Sequence, residues 1–197
     1  MRGRFRDARR LMDRAEAVYD DLGQAALAQG NCGTMRGQIE LLAGDSAAAA
    51  SALRASYEAL SAMGDRAYVA TRAAELAEAL YRNGRRDEAW SLTEAAETTG
   101  GADDVPTQIL WRAVRAKLLA LDGRLVEAEA LAREAVTLSE ATEAPSLRAD
   151  VLLGLAEVLR LCGRADEAAA SAKLAVELFE QKGNVVAADA ARALSLV

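Results

Sequence analysis

Apolar residues recur at three- and four-residue spacing along most of the chain. Leu76, Ala77 and Leu80 follow this rhythm, as do Leu152, Leu155, Ala156 and Leu159. That period places them on one face of a helix. The pattern predicts helices over 5–20, 46–62, 86–98, 125–141 and 165–181, here termed the B series. A second set over 24–42, 66–82, 105–121 and 146–161, with a last segment at 185–195, forms the A series. The breaks carry turn chemistry: Gly64-Asp65, Gly100-Gly101 and Gly183-Asn184 interrupt the rhythm. Pro106 and Pro145 fall near predicted helix starts, where a missing N–H costs little. Thr142 or Ser146 is expected to cap the helix that follows.

The segments belong to an internal repeat. A glycine followed five residues later by alanine occurs as Gly3/Ala8, Gly44/Ala49, Gly84/Ala89, Gly123/Ala128 and Gly163/Ala168. The glycines are separated by 41, 40, 39 and 40 residues. Twelve residues after each lies another small residue: Ala15, Ser56, Ala96, Ala135 and Ala175. Seven residues before each glycine from the second onward lies Gly37, Ala77, Ala116 or Ala156. Small side chains in fixed columns let paired helices approach closely. The glycines are expected to be tight A-to-B turns, since a helix C-terminus accepts a left-handed residue there. An amphipathic pair cannot bury its apolar face alone, so the pairs must stack. The expected fold is all-α, a right-handed α-solenoid of about ten antiparallel helices with a repeat near 40 residues, in one domain spanning 1–197.

Composition agrees. Alanine is about a quarter of the chain, aromatics are 4%, and there are two prolines in 197 residues. This disfavours a β-sandwich or barrel. The absence of histidine removes His-based acid–base catalysis, Ser-His-Asp triads and His metal sites. No metal and no cofactor is expected. Net charge is −6, which disfavours phosphate-driven nucleic-acid binding. Cys32 and Cys162 fit no metal spacing and read as reduced thiols. No run of eighteen apolar residues is present, so no membrane span is expected. The basic opening Met1-Arg-Gly-Arg-Phe-Arg lacks an apolar stretch after it and does not read as a signal peptide, which makes the cytoplasm the expected location.

Helix pairs with small residues in these three columns resemble tetratricopeptide repeats along essentially the whole chain. The usual repeat is about 34 residues. The longer period here implies helices longer by roughly a turn and a half per repeat, and the proline that commonly ends the second helix is missing from most repeats. A narrower resemblance rests on particular phrases. These are Gln38-Ile-Glu-Leu-Leu-Ala-Gly-Asp45, Gly64-Asp-Arg-Ala-Tyr-Val-Ala70 with Leu76-Ala-Glu-Ala-Leu-Tyr81, Asp103-Asp-Val-Pro-Thr-Gln-Ile-Leu-Trp-Arg-Ala-Val-Arg-Ala-Lys117, Ala156-Glu-Val-Leu-Arg-Leu-Cys-Gly-Arg164 and Glu180-Gln-Lys-Gly-Asn-Val185. Together they are similar to the C-terminal repeat tail of actinobacterial proteins that join a class III adenylate/guanylate cyclase to an ATPase module. That resemblance implies a regulatory tail. It carries no activity, because neither a phosphate-binding Gly-x-x-x-x-Gly-Lys-Ser/Thr loop nor a cyclase metal-carboxylate segment is present in this sequence.

The concave face of such an array is lined by A helices. The column after Gly37, Ala77, Ala116 and Ala156 holds Gln38, Glu78, Lys117 and Glu157, a mixed polarity suited to a peptide groove. Trp111, Arg112 and Arg115 open the third A helix, and Trp and Arg are favoured interface anchors. Arg115 and Arg36 share a column with Leu76 and Leu155, so each needs a carboxylate or a ligand. Asp103 and Asp104 are expected to favour a helix N-terminus rather than hold a metal. Tyr57, Tyr68, Tyr81 and Trp90 are expected to fill space between helices, the alternative being that they line a pocket. The first B helix opens the chain without an A partner before it, leaving Leu11, Ala15 and Val18 exposed or covered by something else. That arrangement suggests a truncated piece or a self-associating module. The expected function is non-catalytic: a module that captures a protein or peptide through these seven residues. The alternatives are a sensor holding an anionic effector against Arg112 and Arg115, and a homodimer.

Overall fold

The computed structural model describes residues 3–66 and 68–195. These residues form ten α-helices and no strand. The helices are α1 (Phe5–Asp21), α2 (Ala25–Ala43), α3 (Ser46–Ala62), α4 (Val69–Arg82), α5 (Arg86–Thr99), α6 (Val105–Leu121), α7 (Leu125–Glu140), α8 (Pro145–Leu161), α9 (Ala165–Lys182) and α10 (Val185–Ser195). The odd-numbered helices are the B series and the even-numbered the A series. The largest boundary shift is at α4, which starts at Val69 rather than at 66.

Two compact units are present, Gly3–Gly100 and the residues from Gly101 on. In the first, α1 packs on α2, α2 on α3, α3 on α4 and α4 on α5. In the second, the same order runs from α6 to α10, and α6 also meets α8. Each helix thus packs mainly on its sequence neighbours, as in an all-α solenoid. Connections as short as Gly44-Asp45 leave no room for anything but an antiparallel pair.

The repeat turns share one geometry. Gly44 has φ +83°, and its N–H donates to Leu41 O while the N–H of Asp45 donates to Glu40 O. This pairing closes the helix end with a left-handed residue. The same two bonds recur at Gly84, Gly123 and Gly163, each with positive φ. Helix starts differ. Asp45 and Asp104 cap α3 and α6 through Ala48 N–H at 2.9 Å and Thr107 N–H at 3.3 Å. The expectation for α8 is corrected: Pro145 opens the helix, its cap residue is Ala144, and Thr142 Oγ1 instead donates to Ser139 O.

The small-residue columns are the packing surfaces. Ser56, Ala96, Ala135 and Ala175 are fully buried, as are Ala77 and Ala116. The tightest approach is between α2 and α3. A Cβ on Gly37 would lie 2.4 Å from Leu53 Cγ, and one on Gly33 would lie 2.9 Å from Ala52 O. The hydroxyl of Ser56 donates to Gly30 O at 2.7 Å, and Thr34 Oγ1 donates to the same oxygen at 3.1 Å. In the second unit, Ile109, Ala135 and Val151 from α6, α7 and α8 form an apolar node. The repeat positions equivalent to these three in the first unit are Gly30, Ser56 and Arg72.

Candidate binding face

The structure distributes the seven expected site residues unevenly. In the first unit, Gln38 is exposed on α2, and Glu78 is half-buried on α4 and accepts from Arg82 Nε at 2.6 Å. On α2, Gln38 continues an exposed stripe of Leu27, Asn31 and Met35. Their spacing of four, four and three residues places them on one helix face. Leu27 and Met35 are each more than 40% exposed, so the stripe is apolar with polar residues between.

In the second unit, Trp111, Arg112 and Arg115 come together. Both guanidinium groups lie over the Trp111 ring, at 4.2 Å for Arg112 and 4.5 Å for Arg115. A cation over an aromatic face is attracted by the ring quadrupole. Trp111 is buried, and its indole N–H donates to Gln108 Oε1 at 3.2 Å. Arg112 donates to the same Gln108 oxygen at 2.6 Å and pairs with Glu134 of α7 at 2.9 Å. Lys117 is only 5% exposed. Its stem runs beside Gly154 of α8, where an added Cβ would stand 4.0 Å from Lys117 Cδ. Glu157, three residues further along α8, is half-buried. The column that holds Gln38 and Lys117 is therefore open at α2 and covered at α6.

Arg36 has the carboxylates its column requires. It donates to Asp13 at 2.8 Å and to Glu16 at 2.9 and 3.2 Å, both on α1. Among the tyrosines, Tyr68 is 60% exposed, while Tyr57 and Tyr81 are half-buried. Burial pushes the thiols of Cys32 and Cys162 up, the direction that makes a thiolate scarcer. Among the described residues, no group of His, Cys, Asp and Glu is arranged to hold a metal.

Arg72 is the residue that the sequence reading missed. It is 7% exposed on α4 and ion-paired to Glu75 one turn on, yet its Nε has no acceptor among the described residues. Burial lowers its pKa to about 10, which leaves it charged at neutral pH. A signal was present in the sequence. Arg72 stands in the column of Cys32, Trp111 and Val151, where a charge is out of place.

No protein-family model and no curated protein sequence matches this chain. Among solved structures it is similar to the crystal structure of BtubC (BKLC) from P. vanneervenii, with a TM-score of 0.56 and 16% identity. The match covers 90% of this chain and 72% of that one. At that identity the likeness shows a shared helical-repeat fold and nothing about chemistry. No described helix is long and apolar enough to cross a membrane.

Proposed function

We propose that this protein is a non-catalytic, tetratricopeptide-like module that captures a protein segment on the faces of its A helices. The observation that carries the reading is the α2 stripe. Leu27 and Met35 are exposed, Asn31 and Gln38 lie in line with them, and neither apolar side chain contributes to the core. An amphipathic helix laid along such a face places apolar anchors on Leu27 and Met35 and polar groups on Gln38. Glu78 of α4, in the column of Gln38, already accepts from Arg82, so a basic residue of the partner would have to displace that arginine. Lys117 and Glu157 hold the equivalent positions in the second unit. The two arginines on Trp111 supply a rigid cationic rim there, but Arg112 already has Gln108 and Glu134 as partners. An anionic effector would have to displace Glu134, so the sensor reading ranks second.

The phrases that resemble the repeat tails of cyclase–ATPase proteins support a regulatory setting for this module. Its test is binding to the separate cyclase and ATPase parts of such a protein. The groove itself is tested by a pull-down with Met35→Glu and Gln38→Ala beside Arg115→Ala and Lys117→Ala. Loss of a partner on the α2 substitutions supports the reading. Unchanged capture by all four variants overturns it.

A further inference from the structure

The face of α1 differs from those of α3, α7 and α9. Positions five, nine, twelve and sixteen residues after the repeat glycine are Ala49, Leu53, Ser56 and Leu60 in α3, Ala128, Ala132, Ala135 and Ser139 in α7, and Ala168, Ala172, Ala175 and Phe179 in α9. All twelve are buried. In α1 the same positions are Ala8, Met12, Ala15 and Tyr19, and all four are half-exposed. Beside them Leu11, Val18 and Leu22 are 57%, 59% and 65% exposed. In α3, α7 and α9 this face is shared between two A helices, and α1 has only α2 against it.

A charge pattern indicates what fits there. Ten residues after the repeat glycine, Arg54 of α3 reaches Glu88 of α5 at 2.6 Å. At the same position Arg133 of α7 reaches Glu167 of α9 at 3.1 Å. In both cases the acid stands four residues after the next repeat glycine. The third basic residue at that position is Lys173 of α9, which is exposed. Continuing the register from Lys173 into the start of the chain brings in Asp7, four residues after Gly3. Where the tenth position is acidic, at Asp13 and Glu94, the residue four after the next repeat glycine is Ala48 or Glu127. Thus each basic residue at this position has an acid in register, provided that α9 is followed by α1. The helix after α9 is α10, of the A series, which is the series that covers B faces elsewhere.

We propose that the chain self-associates head to tail, the α9–α10 end of one copy covering the α1 face of the next, with Lys173 opposite Asp7. α10 of one copy stands to α1 of the next as α8 stands to α9. Leu11, Val18 and Leu22 leave water at the joint. The two surfaces differ, so the contact repeats from copy to copy and gives chains or a ring rather than a closed two-fold dimer.

The test is sedimentation velocity of the full chain from about 10 μM to about 1 mM. The expected result is a mass that rises with concentration past that of a dimer. The Leu11→Asp/Val18→Asp double variant, whose sites are exposed and whose fold is checked by circular dichroism, weakens association at least about tenfold. K173E and D7K each weaken it about threefold, and mixing the K173E and D7K chains restores it. A monomer at every concentration overturns the proposal and leaves the α1 face to a different protein. An assembly that stops at the dimer overturns it, as does one indifferent to all of these substitutions.

Discussion

Arg133 of α7 donates to Glu167 of α9, 34 residues away, and with Glu129 and Arg164 the two form a closed ring of alternating charges. Arg133 Nε donates to Glu129 at 2.8 Å and Nη2 to Glu167 at 3.1 Å. Arg164 pairs with both acids. The ring ties the outer faces of two successive B helices. All four side chains are 22–48% exposed, so water screens each pair. A double-mutant cycle on Arg133 and Glu167 is expected to give a coupling of about 0.2–1 kcal/mol, falling further in concentrated salt. A coupling above that range would mean the ring acts as a unit.

The same ring sets a pH dependence. Hydrogen bonds from Arg133 and then Arg164 hold the Glu129 carboxyl below the usual carboxylate range. A carboxylate with a lowered folded pKa contributes stability above its unfolded pKa and loses it as pH falls through the folded value. The contribution is therefore complete at neutral pH and fades below pH 4.5, the ordinary value. Titration of the Glu129 side chain by NMR should show a midpoint under that value. Arg133→Ala should move it upward.

Gly37 and Gly154 both lie inside A helices, yet alanine should act oppositely at the two. At Gly37 a methyl group meets Leu53, which is fully buried and cannot move aside, at 2.4 Å. Gly37→Ala is expected to destabilise by about 1–3 kcal/mol. At Gly154 the nearest atom is Lys117 Cδ at 4.0 Å, ordinary contact distance. Gly154→Ala should gain up to about 1 kcal/mol from helix propensity. Urea unfolding of the two variants, referred to wild type, decides. Equal effects would mean that α2 and α3 do not depend on the close approach at Gly37.

That contrast shows what the sequence conveys and where it stops. The glycine and alanine columns marked the turns and the buried faces, because spacing alone decides which side of a helix a residue occupies. Spacing does not decide how deep a polar residue sits. Gln38 and Lys117 share a column, yet one is exposed and the other 5% exposed, because α8 covers α6 with Gly154 beside the lysine stem. Arg72 was overlooked for a related reason. The node Ile109, Ala135 and Val151 becomes Gly30, Ser56 and Arg72, and the exchange is visible only when three columns are compared at once.

Arg72 is expected to be replaceable by an apolar residue of similar length. Its guanidinium is taken out of water with one acid partner and an Nε that has none, an arrangement whose desolvation cost rivals its ion-pair gain. Arg72→Met should be neutral or stabilising by about 1 kcal/mol or more. Arg72→Ala should destabilise, since it removes the buried stem as well. Thermal unfolding of both variants separates the contributions. A marked loss on Arg72→Met would mean that the charge itself holds α4 in place.

The first helix should be the part of its unit that opens most easily. None of its residues is fully buried, so little apolar area holds it down. Two arginines do much of the fastening: Arg9 grips Glu40 of α2 with bonds of 2.7 and 2.5 Å, and Arg36 of α2 grips Asp13 and Glu16. The two clasps differ in kind. Asp13 is well exposed, so its share of the Arg36 clasp is weak and salt-sensitive. Glu40 is 8% exposed, and removing Arg9 leaves a covered carboxylate without its guanidinium partner. Arg9→Ala should therefore free α1 more than Asp13→Ala does. Hydrogen exchange followed by mass spectrometry reads this directly. The expected order of exchange over residues 5–21 is Arg9→Ala fastest, then Asp13→Ala, then wild type, with α3 and α4 unchanged. Equal protection of α1 and α3 in wild type would mean that another surface already covers the α1 face.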